Sequence, residues 1–392
     1  MLNFCMTNAF FHPFIGGTEK MMLELGKRLA KKTNFHVLTS ALPEAPESEI
    51  YENMTIHRVP ATLQRMPYLY PPPMVFAPQA RKYLRELDQE QDFDVFNCHG
   101  RWFPDFAYSI KYAHKNHKYS TLTLHNKRPH GIQKRLTAIG LMYEYWYGIN
   151  IMKQATKVIA VSEGGKRDVM KYGIPESHFE VIHNGVDTNK VKQAEPTYRE
   201  KYADGFDHVI GFQGRVIKQK GIDYLIDAMP SILDEFPKTK LLIVGKGKML
   251  PELEKQVSKN GLRDNITFTG FIPEEEINNM FSSLDVFVMP SLWEVLCVAL
   301  LEAMSCGVPL VATNATGNDE IVKDGVNGYV VPMRQPDALA EKIKTLLRDD
   351  ALRKKMAKNS RDIAVKNFEW DIIAKQTLDF YERETNEFYK TR

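Results

Sequence analysis

PSLWEVLCVALLEAMSCGVP, residues 290–309, is the most informative segment of the sequence for the fold class. It follows a short apolar run at 286–289, which is typical of a buried strand, and it leads through a helical pattern to a second apolar run at 310–312. A strand, a helix and a strand in this order predict a parallel sheet covered by helices. Glu294 precedes the predicted helix and Glu302 lies within it.

The same alternation of short β-rich runs and longer helical runs extends along the whole chain. It predicts two open α/β sheets, because two series of strands are separated by a polar connector. The first series is at 2–6, 35–39, 55–59, 95–99, 121–125, 157–161 and 179–183, and the second is at 209–212, 241–244, 266–269, 286–289, 310–312 and 329–331.

A chain of 392 residues exceeds what one hydrophobic core usually organises, so two domains are expected and a single large domain is the minor alternative. The stretch 190–205 is rich in charge and poor in apolar periodicity, which is typical of a connector. We therefore predict domains at 1–195 and 196–369. The apolar pattern of the last helical stretch, 370–392, requires a packing partner, which the first domain could supply.

The composition is that of an ordinary globular protein, with 43% hydrophobic and 26% charged residues and a net charge of +3. A general nucleic-acid binder is not indicated. Four cysteines lie in or beside apolar runs without metal-binding spacing, which predicts reduced packing residues. The first residues lack the pattern of a secretory signal and no apolar window is long enough to cross a bilayer, so we expect a cytoplasmic protein, which could rest on the inner face of the membrane.

The segment GRVIKQKG, residues 214–221, supplies two cations directly after an apolar strand. Arg215 and Lys220 could neutralise phosphates above the carboxyl edge of the sheet. Together with Glu294 and Glu302, which can accept hydrogen bonds from hydroxyl groups, they indicate a nucleotide-sugar site. The alternative is a basic, solvent-exposed loop and two structural glutamates.

Two further segments follow strands of the first series. Gly16 and Gly17 precede a helix, where they would let phosphates approach backbone N–H groups, although a plain turn explains them equally well. His125 ends a strand and is a candidate sugar contact, against the alternative of a solvated loop histidine; the same holds for His99. The segment IVGKGKM, 243–249, is as consistent with a simple turn as with a ligand site.

These motifs, taken in order, resemble the retaining glycosyltransferases of family 4, the glycosyl transferases group 1. The resemblance rests on GGTE at 16–19, the histidine at a strand end, NGVD at 184–187, GRVIKQKG, VGKG, TGFIP at 269–273, the paired glutamates, and DEIVKDGVNGYVVP at 319–332. It implies the GT-B fold, in which two Rossmann-like domains with parallel sheets face each other across a cleft and a C-terminal helix returns to the first domain.

The resemblance also implies roles for individual residues. Arg215 and Lys220 would bind the donor diphosphate, Glu302 the ribose and Glu294 the transferred sugar. His125 would contact that sugar from the first domain. No metal and no cofactor would be needed, and the donor would be a UDP-, GDP- or ADP-sugar.

The remaining implied donor contacts are Gly16 and Gly17 at the phosphates, Phe271 and Ile272 beside the nucleobase, and Leu296, Cys297 and Val298 where backbone amides meet the sugar and phosphate. Cys297 departs from the family pattern, because it stands where a glycine is usual and its side chain could crowd the donor.

The expected activity is transfer of a hexosyl group, with retention, to an acceptor hydroxyl in glycan, polysaccharide or glycolipid biosynthesis. A non-catalytic nucleotide-sugar binder or partner subunit is the alternative, and an oxidoreductase is disfavoured because no G-x-G-x-x-G fingerprint is present. Residues 127–154 combine basic and aromatic residues that could contact anionic lipid, and a core helix with a basic cap is the alternative. The base, sugar, acceptor, linkage and oligomeric state are not specified by the sequence.

Overall fold

The computed structural model describes residues 1–14, 16–43, 45–64, 74–126 and 134–391, with the side chains of residues 134–136 excluded. The chain divides into two compact units. The first comprises Met1–His183 together with Trp370–Arg392, and the second comprises Asn184–Glu369. Both are α/β units built on a parallel sheet, as the sequence predicts.

The first unit contains an eight-stranded sheet in the order β10-β9-β8-β7-β1-β2-β4-β3, in which β3 alone of these strands is antiparallel to its neighbour, and a separate two-stranded sheet, β5-β6. Its strands are β1 (Asn3–Thr7), β2 (Asn34–Ser40), β3 (Ser48–Tyr51), β4 (Met54–Val59), β5 (Thr62–Gln64), β6 (Met74–Phe76), β7 (Val95–His99), β8 (Tyr119–Leu124), β9 (Lys157–Ala160) and β10 (Phe179–Val181).

In the part of the chain that the structure describes, α-helices connect these strands. They are α1 (Gly17–Leu29), α2 (Ala80–Gln91), α3 (Pro104–Lys115), α4 (Lys134–Tyr143), α5 (Ile149–Gln154) and α6 (Glu163–Met170), with a π-helical turn, Glu144–Gly148, between α4 and α5. Strands β1, β7 and β8 are buried along almost their whole length, so both faces of the sheet centre are covered.

The second unit contains a six-stranded parallel sheet in the order β13-β12-β11-β14-β15-β16. Its strands are β11 (His208–Gln213), β12 (Thr239–Val244), β13 (Ile266–Gly270), β14 (Val286–Met289), β15 (Leu310–Thr313) and β16 (Gly328–Val331). Its helices are α7 (Thr197–Tyr202), α8 (Ile222–Leu233), α9 (Leu250–Lys259), α10 (Ile277–Ser282), α11 (Val298–Ser305), α12 (Asn318–Ile321), α13 (Pro336–Arg348) and α14 (Asp350–Asn367).

The last helix, α15 (Trp370–Lys390), packs on the first unit. The Tyr381 ring meets the ring of Phe4 edge to face at 4.9 Å, and the Tyr389 hydroxyl donates a hydrogen bond of 2.9 Å to the carbonyl of Asp94. Near its start, Arg28 Nε lies 2.7 Å from Asp371 Oδ1. Phe380 and Tyr381 of this helix are buried, so the first unit is the packing partner that the apolar pattern requires.

The polar stretch 190–205 belongs to the second unit and does not form a free connector. The backbone N–H of Ala194 donates to Ser282 Oγ at 2.8 Å, and that of Tyr198 donates to Ser283 Oγ at 3.1 Å. The chain passes from the first unit to the second after His183, whereas the polar stretch begins only at residue 190. The segment is held to the second unit by hydrogen bonds. Because such bonds leave no apolar periodicity in the sequence, composition is a weak guide to the boundary between the units.

Within the described residues, no helix is both long and apolar enough to span a bilayer, and no three His, Cys, Asp or Glu side chains are grouped to hold a metal ion. The four cysteines, Cys5, Cys98, Cys297 and Cys306, are free and buried, as packing residues should be.

Candidate functional site

The strand order of the second sheet creates a switch point between its two central strands. From β11 the chain moves outward in one direction to β12 and β13, and from β14 it moves in the other direction to β15 and β16. Loops at the carboxyl ends of strands beside such a point diverge and leave a crevice, which is where open α/β sheets bind ligands. The loop after β11 carries Arg215 and Lys220, and the loop after β14 carries Glu294.

Lys220 and Glu294, from these two loops, form a buried ion pair. Lys220 Nζ donates to Glu294 Oε1 at 2.6 Å, and the side chains are 11% and 8% exposed. Ser291 Oγ donates to the same oxygen, also at 2.6 Å. The other oxygen, Oε2, accepts no hydrogen bond from the described part of the chain. The site therefore offers one carboxylate oxygen to a ligand hydroxyl.

The lysine stays charged despite its burial. Burial lowers the pKa of Lys220, but the charge and hydrogen bond of Glu294 outweigh it, so the pKa is raised overall. Arg215 lies close enough for its charge to act on both groups. Arg215, Lys220 and Glu294 together carry a net charge of +1, from two cations and one anion. This cluster suits a ligand that carries phosphates and hydroxyl groups.

Backbone contacts fasten the two loops to each other. The N–H of Leu292 donates to the carbonyl of Gln219 at 2.8 Å, and Gln219 Nε2 donates to the carbonyl of Trp293 at 3.0 Å. Gly221 has a φ of 60°, and a Cβ there would lie 2.2 Å from the carbonyl oxygen of Pro290. Only glycine fits this approach, so the turn that aims Lys220 requires it.

The VGKG turn after β12 serves the same framework. Gly245 has a φ of 136°, and its Cβ would lie 1.9 Å from the carbonyl oxygen of Gly214. The N–H of Val216 donates to the carbonyl of Lys246 at 2.9 Å. Of the two interpretations that the sequence leaves open for this turn, the structure supports a backbone role, because close packing against the Arg215 loop accounts for its glycines.

Four of the predicted donor contacts lie in or just before helix α11, which follows β14: Leu296, Cys297, Val298 and Glu302. Cys297 precedes the helix with a φ of −88°, so a side chain fits there without backbone strain, and burial raises the pKa of its thiol to about 11. Leu296 and Cys297 are buried, and Val298 is half-buried. Glu302 is 7% exposed, one turn into the helix.

The two residues predicted beside the nucleobase differ in exposure. Phe271, which follows β13, is 71% exposed, whereas Ile272 is buried. An exposed aromatic ring at the carboxyl edge of the sheet can stack on a base.

In the first unit, Gly16 and Gly17 begin α1 beside β1. The backbone of Gly16 is extended, and a Cβ there would meet Glu19 Oε2 at 2.1 Å. Burial raises the pKa of Glu19, against hydrogen bonds from its own N–H and from Asn8 that lower it. The end of the Glu19 side chain could move to make room there, so this contact does not require a glycine at position 16. At Gly17, apart from its chain neighbours and the backbone of its own helix, no described protein atom is within 4 Å of the position that a Cβ would take.

His125 lies just after β8 and is paired with His99 at the end of β7. His99 Nδ1 and His125 Nε2 are 2.9 Å apart, and the rings stack with centroids 5.2 Å apart. Burial lowers the pKa of His125 to about 4, and burial followed by the charge of His125 holds the pKa of His99 well below its usual value. His99 is therefore buried and not solvated, and His125 is half-buried with one ring nitrogen engaged by His99.

Sequence reasoning missed Ser291 and the partnership of the two histidines. Ser291 stands directly after an apolar strand, which was a usable signal. The histidine pair joins residues 26 positions apart through neighbouring strands, and only the strand order shows it.

The helical segment 134–154 presents an apolar face to solvent. Ile139, Met142, Tyr145 and Trp146 are 53%, 68%, 68% and 80% exposed. In the same segment, Glu144 is fully buried, and its Oε1 lies 2.5 Å from Arg101 Nη2. The predicted basic residues Lys127 and Arg128 lie outside the described residues, as do the side chains of Lys134 and Arg135.

Comparison with known proteins places both units in one family. Residues 15–190 match the family described as Glycosyltransferase Family 4, and residues 195–363 match the family described as Glycosyl transferases group 1.

Two relatives cover much of the chain. It is 34% identical to "Uncharacterized glycosyltransferase MJ1607" of Methanocaldococcus jannaschii over 58% of this chain and 60% of that protein. It is 32% identical to "Putative glycosyltransferase YtcC" of Bacillus subtilis over 77% of this chain and 75% of that protein.

Among solved structures, Anabaena Alr3699/HepE in complex with UDP-glucose is similar in fold, with a TM-score of 0.73. It is 20% identical, and the match covers 97% of this chain and 99% of that one. With the two α/β units, the cluster at the switch point and a relative matched over three quarters of its length, the chain belongs to the glycosyltransferase family 4, or group 1, with the GT-B fold.

Proposed function

We propose that the protein transfers a hexosyl group from a nucleoside diphosphate sugar to an acceptor hydroxyl, with retention at the anomeric carbon. The observation that carries this proposal is the meeting of Lys220, Glu294 and Ser291 at the switch point of the second sheet, with Arg215 beside them. A related fold, that of HepE, binds UDP-glucose, which supports the choice of ligand class.

In the proposed reaction, the bond between the anomeric carbon and the β-phosphate oxygen breaks and its electron pair stays on that oxygen. The acceptor hydroxyl oxygen forms the new bond on the same face of the sugar. Its proton passes to the departing phosphate oxygen, so no separate base is required. Negative charge on the diphosphate is greatest as this bond breaks, and the fixed cations of Arg215 and Lys220 then stabilise it most.

Each remaining residue has a proposed part. Glu294 holds a sugar hydroxyl through Oε2, Glu302 holds the ribose, and the exposed ring of Phe271 borders the base. Gly17 lets phosphates approach backbone N–H groups, and His125 contacts the transferred sugar. No metal is proposed, because two cations and the N–H groups that begin α11 already supply positive potential.

Product analysis tests the reaction. The protein is incubated with UDP-, GDP- and ADP-hexoses of defined anomeric configuration and a mixture of acceptors, and the anomeric configuration of the product is determined by NMR. We expect one donor to be consumed with retention. Inversion would contradict the proposed geometry. Binding of a donor without hydrolysis or transfer would instead favour the non-catalytic homologue, in which Cys297 replaces a glycine to the detriment of catalysis.

We also propose that the acceptor side of the protein rests on an anionic lipid surface through the face formed by Ile139, Met142, Tyr145 and Trp146, which we name the outward face. Its four large side chains point to solvent from one helical segment, and the neighbouring sequence is basic. Lipid-linked acceptors fit such a surface, and glycan acceptors do not need it.

Vesicle flotation tests the outward face. Ile139→Ser with Trp146→Ser should abolish flotation with vesicles that contain anionic lipid. Ile50→Ser is the matched control, because Ile50 is 79% exposed on β3, elsewhere in the same unit. If the unaltered protein, the double variant and Ile50→Ser all float equally, or if none of them floats, the outward face does not bind the membrane and a free glycan acceptor is favoured.

A further inference from the structure

A series of side-chain hydrogen bonds runs from α15 through the first sheet to His125. The hydroxyls of Tyr381 and Thr121 are 2.8 Å apart, and Asn97 Nδ2 donates to the hydroxyls of Thr121 and Thr123, at 2.9 Å each. Asn97 Oδ1 lies 2.6 Å from His99 Nε2, and His99 Nδ1 lies 2.9 Å from His125 Nε2.

Apart from half-buried His125, the side chains between Tyr381 and His99 are shielded from water, so each of their donors and acceptors must find its partner within the protein. Asn97 and His99 are 2% and 3% exposed, and Thr121 is fully buried. An unmatched polar atom in such a place costs more than the hydrogen bond itself contributes, so the directions of the bonds are strongly constrained.

The directions follow from Asn97. Its amide nitrogen is engaged by two threonine hydroxyls, so only its oxygen, an acceptor, faces His99. His99 must therefore carry its proton on Nε2. A neutral imidazole has one N–H, so His99 Nδ1 is an acceptor and His125 must donate to it from Nε2. The remaining ring nitrogen of His125, Nδ1, is then left with a lone pair.

We propose that Asn97 and His99 are positioning residues that hold His125 in the tautomer protonated at Nε2, so that Nδ1 accepts a hydrogen bond from a hydroxyl of the transferred sugar. The tautomer depends only on contacts within the first unit. The sugar contact rests on the function proposed above.

This arrangement also makes His125 selective. A nitrogen lone pair attracts a hydroxyl hydrogen but repels a phosphate or carboxylate oxygen, which has no hydrogen to give. His125 should therefore favour a sugar with a hydroxyl at the contacted carbon over a deoxy sugar or a uronic acid. Sites built to hydrogen-bond a hydroxyl discriminate strongly against analogues that lack it, because the site's polar atom is then left unpaired.

Nitrogen-15 NMR of the full-length protein, labelled at histidine, tests the tautomer directly. The His125 signals are identified by their loss in His125→Gln. We expect His125 to be neutral at pH 7 and protonated at Nε2. A proton on Nδ1, or an equal mixture of the two tautomers, would overturn the inference without any variant of His99.

Three variants separate positioning from packing. His99→Phe keeps a ring of similar size but removes the acceptor, and it should release His125 into a mixture of tautomers. His99→Gln restores an acceptor oxygen and should restore the Nε2–H form. Tyr381→Phe removes the hydroxyl at the end of the hydrogen-bond series that is farthest from His125. Because Thr121 still accepts from Asn97, this variant should leave the tautomer unchanged.

Kinetics then link the tautomer to the sugar. His99→Phe should lower kcat/KM about tenfold, the size expected for one misdirected hydrogen bond, and His99→Gln should recover most of it. A changed tautomer with unchanged kcat/KM would refute the positioning role. Failure of the proposed function is read separately, from whether any nucleotide sugar binds the unaltered protein.

Discussion

Lys220 Nζ lies 2.6 Å from Glu294 Oε1, so the cation proposed to hold the diphosphate is already held by an anion. The two residues come from neighbouring loops, after β11 and β14. The pairing keeps the lysine charged and directed at one place before a ligand arrives, and preorganised charge of this kind is what stabilises a transition state most efficiently.

Replacement of Lys220 should impair turnover far more than replacement of its neighbour. Lys220→Ala removes one preorganised cation and should lower kcat by about 10²–10³, roughly 3–4 kcal/mol. Lys218→Ala is the matched control, because Lys218 lies in the same turn but is exposed and pairs with Asp223. Initial-rate kinetics measure both, and turnover of Lys220→Ala within a few-fold of the unaltered protein would show that Lys220 has no catalytic part.

Loss of Glu294 should lower both the stability of the second unit and the activity. Glu294→Ala leaves the buried Lys220 ammonium without a charged partner, which typically costs about 3–5 kcal/mol. The double variant Lys220→Met with Glu294→Leu buries no charge and should recover much of the stability while remaining inactive. Urea unfolding measures the difference, and a single variant as stable as the unaltered protein would contradict the ion pair's role.

Gly245 should tolerate no side chain. In Gly245→Ala the new Cβ would lie 1.9 Å from the carbonyl oxygen of Gly214, whereas in Gly325→Ala it would meet no described atom within 4 Å. Both glycines have positive φ. An alanine costs about 1 kcal/mol at Gly325, whose φ of 73° is close to the left-handed helical region, whereas the φ of 136° at Gly245 lies outside that region and costs more, and only Gly245→Ala also incurs the clash. We expect Gly245→Ala to unfold at a clearly lower temperature. Equal midpoints would mean that the two loops are not in contact.

The buried histidines should make stability fall in mild acid. Burial lowers the pKa of His125 and, together with the charge of His36, that of His57 to about 4, against about 6.5 in the unfolded chain. Between these values the unfolded chain binds protons that the folded one does not, so stability declines as the pH falls from 6.5 to 4, by up to roughly 3 kcal/mol for each residue.

The measurement is urea unfolding from pH 7.5 to 4.5, with His57→Phe as the diagnostic variant because it removes one of these groups from the first unit. The variant's stability should depend less steeply on pH. An identical pH slope for both proteins would show that His57 is not held neutral.

Elements buried on both faces were the most predictable from sequence. Strands β7 and β14 have the predicted bounds, 95–99 and 286–289, because continuous apolar runs flanked by polar residues leave little freedom in where a strand begins. The short strands β3, β5 and β6 were missed. Strand β3 is an edge strand in which Glu49 and Ile50 alternate without burial of a full face, so its sequence carries no β period.

The residues proposed for the site could be chosen from the sequence, but the contacts between them could not. Arg215, Lys220 and Glu294 could be chosen because each follows a buried strand. That Lys220 pairs with Glu294, 74 positions away, depends on β11 and β14 being neighbours, which sequence periodicity does not encode. The glycines of the VGKG turn were ambiguous for the same reason, since their constraint lies in the carbonyl groups of another loop.

The proposed function depends on binding of the diphosphate of a nucleotide sugar by the positive cluster of the second unit, which is formed by Arg215, Lys220 and Glu294. Calorimetric titration with UDP-, GDP- and ADP-hexoses tests it most directly, on the unaltered protein and on Lys220→Met, with Lys218→Met as control. We predict that one donor binds the unaltered protein and the Lys218 variant equally, and binds Lys220→Met at least about thirtyfold more weakly, since loss of a buried charge contact costs roughly 2 kcal/mol or more. Binding of none of the three donors, or equal binding by Lys220→Met, would contradict the account.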